Sequence, residues 1–489
     1  MNYNLMYEPW IPVRTLAGEF KKVGIKELII DAHNIEQITD ASPMREYGIY
    51  RLICALLMDM LRPEDSYDID EIIDKGSFDE KQIDEYISLC ESEGVSFDLF
   101  DENRPFLQCA YNEKWDKGIP PKPVQAIDEM MPSGNNHLHF VHGSDLAPRI
   151  TCEEAARALC AVYTFCTAGL KGSSNVYGAP PYFVMVQEDN LFKTLSGNIL
   201  PVDYFVLSYD DPAVIWRYKA DIEPGKKIGN ASILFGMTFP TRRIRLVEED
   251  GFVTRVYLQK GLDFQGYDSW TGIHVPYQIT TKGISSLKPR PEREPWRCLG
   301  SILDCDNTAP QILKFKRDYH TFENYYKLRV YGVATSSADY LQAQQDEFGI
   351  PAEILRQNNR VYALKKELQF IEEAGNMLKF YITGTYSLTD DKKKKERKVS
   401  DVFLTEYFDE CKNLVLIEFL HDLALCDIDQ SGELDKLSVK IENEVYRIAL
   451  RKYDESVENY NTSGRFLVLA SQNRNKLIYQ IKKKMAKEE

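Results

Sequence analysis

A chain of 489 residues with 44% apolar content is long enough for more than one packed core, or for one large core with an appendage. Its formal net charge of −15 argues against a protein that holds nucleic acid through bulk positive charge, because phosphate neutralisation supplies most of that kind of affinity. No apolar run reaches the length of a bilayer crossing, the start Met1-Asn2-Tyr3-Asn4 lacks the basic segment of a signal peptide, and none of the ten cysteines forms a Cys-x-x-Cys pair. The expectation is a cytoplasmic protein with reduced thiols, no zinc ribbon and no membrane partner.

In chain order, Ile11-Pro12-Val13 reads as a short strand. Glu46–Leu61 reads as a helix, with Ile49, Leu52, Ile53, Leu56 and Leu57 on one face. Acidic residues crowd Glu64 to Glu102 and read as a solvated surface. In Ser96-Phe97-Asp98-Leu99-Phe100-Asp101-Glu102-Asn103-Arg104-Pro105-Phe106-Leu107-Gln108, two apolar clusters flank an Asp-Glu-Asn turn signal, which predicts a strand, a turn and a return. Thr151, with Glu154 three residues on, predicts a capped helix over Cys152–Phe165. Strands are expected at Tyr182–Val186 and Phe252–Tyr257. Beyond residue 350 the pattern turns helical, with amphipathic stretches at about Pro351–Thr383, Val399–Cys426, Glu433–Tyr460 and Ser463–Lys487. The fold expected is α+β: a large mixed α/β domain over residues 1–350, then an all-α four-helix bundle over 351–489.

Signatures of catalysis are missing. The sequence holds no G-x-x-x-x-G-K-[ST], no G-x-S-x-G and no H-E-x-x-H. The one histidine cluster, His137, His139 and His142, has metal-ligand spacing but no obvious carboxylate or cysteine ligand at close spacing. Local basic groups stand out against the acidic whole: Lys226-Lys227, Arg242-Arg243 with Arg245, Lys392 to Lys398, and Lys482 to Lys484.

The 96–108 stretch resembles the "F-x-L-F-x-x-x-x-P-F-x-Q" segment of the CasA family, the large subunit of the type I-E CRISPR Cascade surveillance complex. An ordered series of blocks extends the resemblance over essentially the whole chain. It begins with Leu5-Met6-Tyr7-Glu8-Pro9-Trp10-Ile11-Pro12-Val13. It continues through Phe140-Val141, the Gly-rich Gly169–Pro181, Asn190–Leu195, Asn198–Pro201 and Thr241–Leu246, and ends in the terminal helices. The resemblance implies a non-catalytic subunit, without metal or other cofactor. Such a subunit reads the protospacer-adjacent motif (PAM) of duplex DNA from the minor groove, opens the duplex for guide pairing and helps recruit a helicase-nuclease.

Residue by residue, the resemblance places a minor-groove glycine loop at Gly169, Lys171, Gly172 and Ser173. It places a groove-entering lysine at Lys282, with Lys288 as second choice. It places a loop that docks on the guide RNA at His139, Phe140, Val141 and His142. The family's strand-separating wedge, an Asn-Gln-Ala type tip after a glycine, matches Ser336, Ser337 and Ala338 after Gly332; here serines replace the Gln-bearing tip, and Gln342, Gln344 and Gln345 follow. The implied partners are double-stranded DNA, CRISPR RNA, the Cascade subunits CasB, CasC, CasD and CasE, and the helicase-nuclease. Two other readings are carried alongside: a metal-dependent nucleic-acid enzyme using His137, His139 and His142, and a purely scaffolding subunit.

Overall fold

The computed structural model describes residues 2–128, 148–166, 174–266, 270–319, 324–336, 339–386, 394–428, 430, 432–458 and 464–486. The chain is mixed α/β and divides into two units. The first comprises Met1–Pro295, Thr308–His320 and Lys327–Glu347; the second comprises Trp296–Asn307, Thr321–Tyr326 and Phe348–Glu489.

In the first unit the helix Pro43–Leu61 is buried almost all round from Met44 to Met58. A helix without a polar face must be enclosed by other elements. Ser42 caps it, accepting from the Arg45 amide, and Pro43 opens it. It packs against Cys152–Phe165, whose start carries the expected capping box between Thr151 and Glu154. Around this pair lie three larger sheets. An antiparallel one has the order Phe20–Val23, Ile11–Thr15, Ile35–Ile38. Another centres on Phe252–Lys260, which pairs with Arg242–Glu249, Lys122–Pro123 and Ile150–Thr151. The third places Tyr325–Ser336 between Asp339–Pro351 and Phe183–Gln187, with Tyr331 opposite Phe183 and Lys327 opposite Gln187.

Ser96–Gln108 departs from the expected strand, turn and return. It is a series of turns with one bridge, Asn4 to Asp98. A few backbone bonds remain, from the Leu5 amide to the Phe97 carbonyl, from Leu99 to Tyr3 and from Phe106 to Asp98, and side chains add to them. Asp98 Oδ1 accepts from the amides of Tyr3 and Phe100, each at 2.9 Å. Gln108 donates to the Leu99 carbonyl at 2.8 Å and accepts from the Leu246 amide at 2.8 Å. Phe97 and Phe106 are buried with ring centroids 5.1 Å apart, and Phe106 continues to Trp216 at 5.6 Å.

The second unit is built on the helix Asn358–Tyr386, which contacts Lys394–Asn413, Glu433–Glu458 and Gly464–Met485. The expected Pro351–Thr383 helix is broken after Ala352–Arg356, at the extended Gln357. The expected Val399–Cys426 helix contains a wider π turn at Leu414–Phe419 before it resumes over Leu420–Leu425. Arg297 makes a two-pronged ion pair with Glu372, both contacts at 2.6 Å, and lies over the Phe408 ring. Among the described residues no helix is long and apolar enough to cross a membrane.

Candidate nucleic-acid interface

Lys282 lies in the loop of a two-stranded hairpin, Tyr277–Thr280 paired with Gly283–Ser286. The turn is fixed by its own residues. Thr280 Oγ1 accepts from the Lys282 amide at 3.2 Å and donates to the Gly283 carbonyl at 2.7 Å. Gly283 takes φ +110°, a conformation that side chains resist. Lys282 is exposed there and forms no ion pair among the described residues.

The Gly-rich stretch is described from Ser174 onward, and its C-terminal foot is pinned. The Ser174 amide donates to Asp263 Oδ1 at 2.9 Å, and its carbonyl accepts from the Phe264 amide at 3.1 Å. The Tyr177 hydroxyl donates to the Thr164 carbonyl at 2.9 Å. On the other side, Cys166 Sγ lies 2.9 Å from Thr241 Oγ1. The candidates Gly169, Lys171, Gly172 and Ser173 lie outside the described residues. So do His137, His139, Phe140, Val141 and His142, and also Ser337 and Ala338.

Ser336 is the last residue of the strand Tyr325–Ser336, and Asp339 opens the neighbouring strand Asp339–Pro351. Below it, a Cβ on Gly332 would come within 2.7 Å of Pro289 Cγ and of Tyr182 Cδ1. Glycine is what lets this strand approach those rings. Of the three glutamines after the tip, Gln344 is buried in the scaffold: its Oε1 accepts from the Tyr182 hydroxyl at 2.6 Å and its Nε2 donates to the Arg290 carbonyl at 2.9 Å. Gln345 donates to Glu46 at 3.3 Å, and Gln342 is exposed.

These elements meet around one segment. The Ser286 hydroxyl, at the base of the Lys282 hairpin, donates to the Tyr177 carbonyl at 3.4 Å. The Tyr182 amide donates to the Leu287 carbonyl at 2.9 Å. Pro289, just beyond, faces Gly332. The structure thus brings together the foot of the Gly-rich stretch, the base of the Lys282 hairpin and the strand that ends at Ser336. The sequence carried no signal for Tyr182 as their meeting point.

Three of the other basic candidates are held within the fold, whereas Lys226 and Lys227 are exposed. Arg242 and Arg243 are buried. Arg243 pairs with Asp116 at 2.7 Å and donates to the Ile222 carbonyl at 2.7 Å. Lys484 pairs with Glu373 at 3.0 Å. Among the described residues no group of three His, Cys, Asp or Glu side chains is arranged to hold a metal ion.

The family model of CRISPR-associated protein Cse1 matches residues 4–451. The CRISPR-associated protein CasA/Cse1 of Thermus thermophilus is 27% identical over 409 residues, covering 77% of this chain and 76% of that protein. The solved Thermus thermophilus CasA (Cse1) shares the fold with a TM-score of 0.77 at 23% identity, covering 98% of this chain and 99% of that one. Thermobifida fusca Cse1 matches at 0.78 and 18% identity, over 99% and 98%. A chain of a CRISPR RNA-guided surveillance complex matches at 0.76 and 16% identity, over 97% and 99%.

Proposed function

This chain belongs to the Cse1 family of CRISPR-associated proteins, and we propose that it is the non-catalytic large subunit of a type I-E Cascade complex that reads the PAM and opens target DNA. The observation that carries the reading is the meeting of three candidate elements around Tyr182. The foot of the Gly-rich stretch, the base of the lysine-tipped hairpin and the strand that ends at Ser336 meet there in an otherwise acidic protein. The likeness to a chain of a CRISPR RNA-guided surveillance complex supports the assembly.

In this reading Gly169, Gly172 and Ser173 approach the minor groove backbone-first, Lys171 meets a phosphate and Lys282 enters the groove. The groove's donor and acceptor pattern is degenerate, so several motifs are tolerated. Ser336, Ser337 and Ala338 hold the first pairs apart; unstacking costs roughly a few kcal/mol per step, which protein contacts offset. His139, Phe140, Val141 and His142 dock at the guide RNA end. Residues 1–350 carry these tasks, and 351–489 form a four-helix bundle that guides DNA and touches CasB. CasC, CasD and CasE complete the complex, which acts in the cytoplasm and recruits a helicase-nuclease once guide and target pair.

The test is duplex binding by guide-loaded complex reconstituted with and without this chain at one fixed salt concentration. Binding that collapses without the chain supports the reading. Equal binding removes it and leaves a scaffold.

A further inference from the structure

Directly behind Lys282, two large apolar side chains stand in solvent. Ile279 is 66% exposed and Ile284 62%. They are partners in the hairpin register, so both side chains lie on one face, one pair away from the Thr281-Lys282 loop. Among the described residues no third strand pairs with this hairpin, and nothing in the fold covers the pair. The hairpin is nonetheless built firmly into the protein. The Tyr277 amide donates to the Thr308 carbonyl at 2.7 Å and the Leu287 amide to the Pro276 carbonyl at 2.9 Å.

The charge around the pair selects its occupant. In a chain of net charge −15, the stretch from 277 to 290 contains Lys282, Lys288 and Arg290 and no carboxylate. All three cations are exposed, and none forms an ion pair among the described residues. A patch of this kind suits a polyanion whose surface also offers apolar area.

We infer that Ile279 and Ile284 form a second, apolar contact on duplex DNA, packing on the deoxyribose wall of the minor groove while Lys282 enters it. This rests on the reading of the hairpin as a DNA contact. Size sets the arrangement. A minor groove about 6 Å wide admits a side chain but not two strands roughly 4.8 Å apart with their side chains. The tip therefore enters, the ribbon stays outside, and the isoleucines meet the sugars that line the rim. Lys288 and Arg290 lie further along toward the flanking phosphates. Apolar side chains on sugars and base steps are a recurrent device of minor-groove proteins.

The experiment titrates guide-loaded complex containing the full chain against a fixed-PAM duplex over a series of salt concentrations. The variants are Lys282→Ala, the double Ile279→Thr/Ile284→Thr, and the double Ile279→Val/Ile284→Val. Threonine keeps the β-branching that suits a strand, so the hairpin is preserved. Lys282→Ala is expected to flatten the slope of log affinity against log salt by about one. The threonine pair is expected to weaken binding about tenfold at every salt with an unchanged slope, since only apolar area is lost. The valine pair, which loses one half-buried methylene from each side chain and adds no polar group, is expected to bind about fourfold more weakly than the unmodified chain.

Wild-type affinity in the threonine pair, with Lys282→Ala weakened, overturns the inference and leaves the Lys282 reading standing. Wild-type affinity in all variants removes the hairpin from the DNA contact altogether. A valine pair as weak as the threonine pair, or loss of either chain from the assembled complex, shows that the isoleucines serve folding or a protein neighbour and overturns the inference.

Discussion

The Tyr331 hydroxyl donates to Glu46 Oε1 at 2.6 Å, joining the strand that ends at Ser336 to the buried helix Pro43–Leu61. Arg329, two residues earlier, donates to the same carboxylate oxygen at 3.1 Å, to Glu347 at 2.9 Å and to Gln37 at 2.8 Å. Burial pushes the Glu46 carboxyl above its ordinary range, while Tyr331 and Arg329 pull it back. The strand that ends at Ser336 is therefore held by a buried polar network.

Removing one member of that network should be costly. Arg329→Met leaves Glu46 without its cation, and a broken buried pair typically costs about 3–5 kcal/mol. The double variant Arg329→Met/Glu46→Gln should recover a large part of this. Urea unfolding of the four forms measures the coupling; additive losses would contradict it.

Gly332→Ala tests the approach of the same strand to Tyr182 and Pro289. Both ring atoms lie 2.7 Å from the added methyl's position, so one side must move. A loss of about 1–3 kcal/mol is expected in denaturant unfolding, as for other overpacked sites. An unchanged midpoint would mean that the rings yield freely.

His274 predicts a pH dependence. It is wholly buried between Tyr47 and Asn198, its Nδ1 3.0 Å from the Tyr47 hydroxyl and its Nε2 3.0 Å from the Asn198 carbonyl. Burial lowers its pKa from 6.5 to about 4. The unfolded chain binds the proton more tightly, so this contribution is fully present above pH 6.5. It is lost as pH falls toward 4, by on the order of 3 kcal/mol in total. Stability profiles of the wild type and His274→Gln between pH 7 and pH 4 check this. The variant's profile should be flatter, and parallel profiles would contradict the assignment.

Gln108→Leu should destabilise the first unit by about 1–3 kcal/mol, because the Leu246 amide and the Leu99 carbonyl both lose their partner. Calorimetry of the purified chain measures it. A melting temperature within error of the wild type would contradict it.

Much of the fold was legible because local chemistry decided it. The Thr151–Glu154 box fixed a helix start, and apolar spacing marked the helix that runs from Pro43 to Leu61. The family-like blocks were legible as strings for a different reason: many of them hold the scaffold. The Trp10 indole donates to the Leu5 carbonyl at 3.0 Å. Asn190 caps Leu191–Ser196. Buried Asn198 binds both the amide and the carbonyl of Val186. Ser96–Gln108 falls short of a strand, turn and return because its backbone pairing stops at one bridge to residues 3–5 and a single bond from Phe106 to Asp98, while the side chains of Asp98 and Gln108 bind further backbone groups. Arg242 and Arg243 stand out in the sequence as a local basic group, and a run of like charges does not reveal that both side chains are turned inward. Of the candidate site, Lys282 is placed by the family resemblance alone, and the structure supplies the turn that Thr280 and Gly283 build around it. The contact between Ser286 and Tyr177 joins residues 109 positions apart, and no local pattern announces such a pair.

If this chain selects the PAM, a randomised-PAM duplex library reads that selection out. Guide-loaded complex would be challenged with the library at fixed salt, with and without the chain, and the bound duplexes sequenced. Strong enrichment of a small set of motifs is expected with the chain and none without it, and a broadened set for Lys282→Ala. The same motif distribution with and without the chain would contradict that selection.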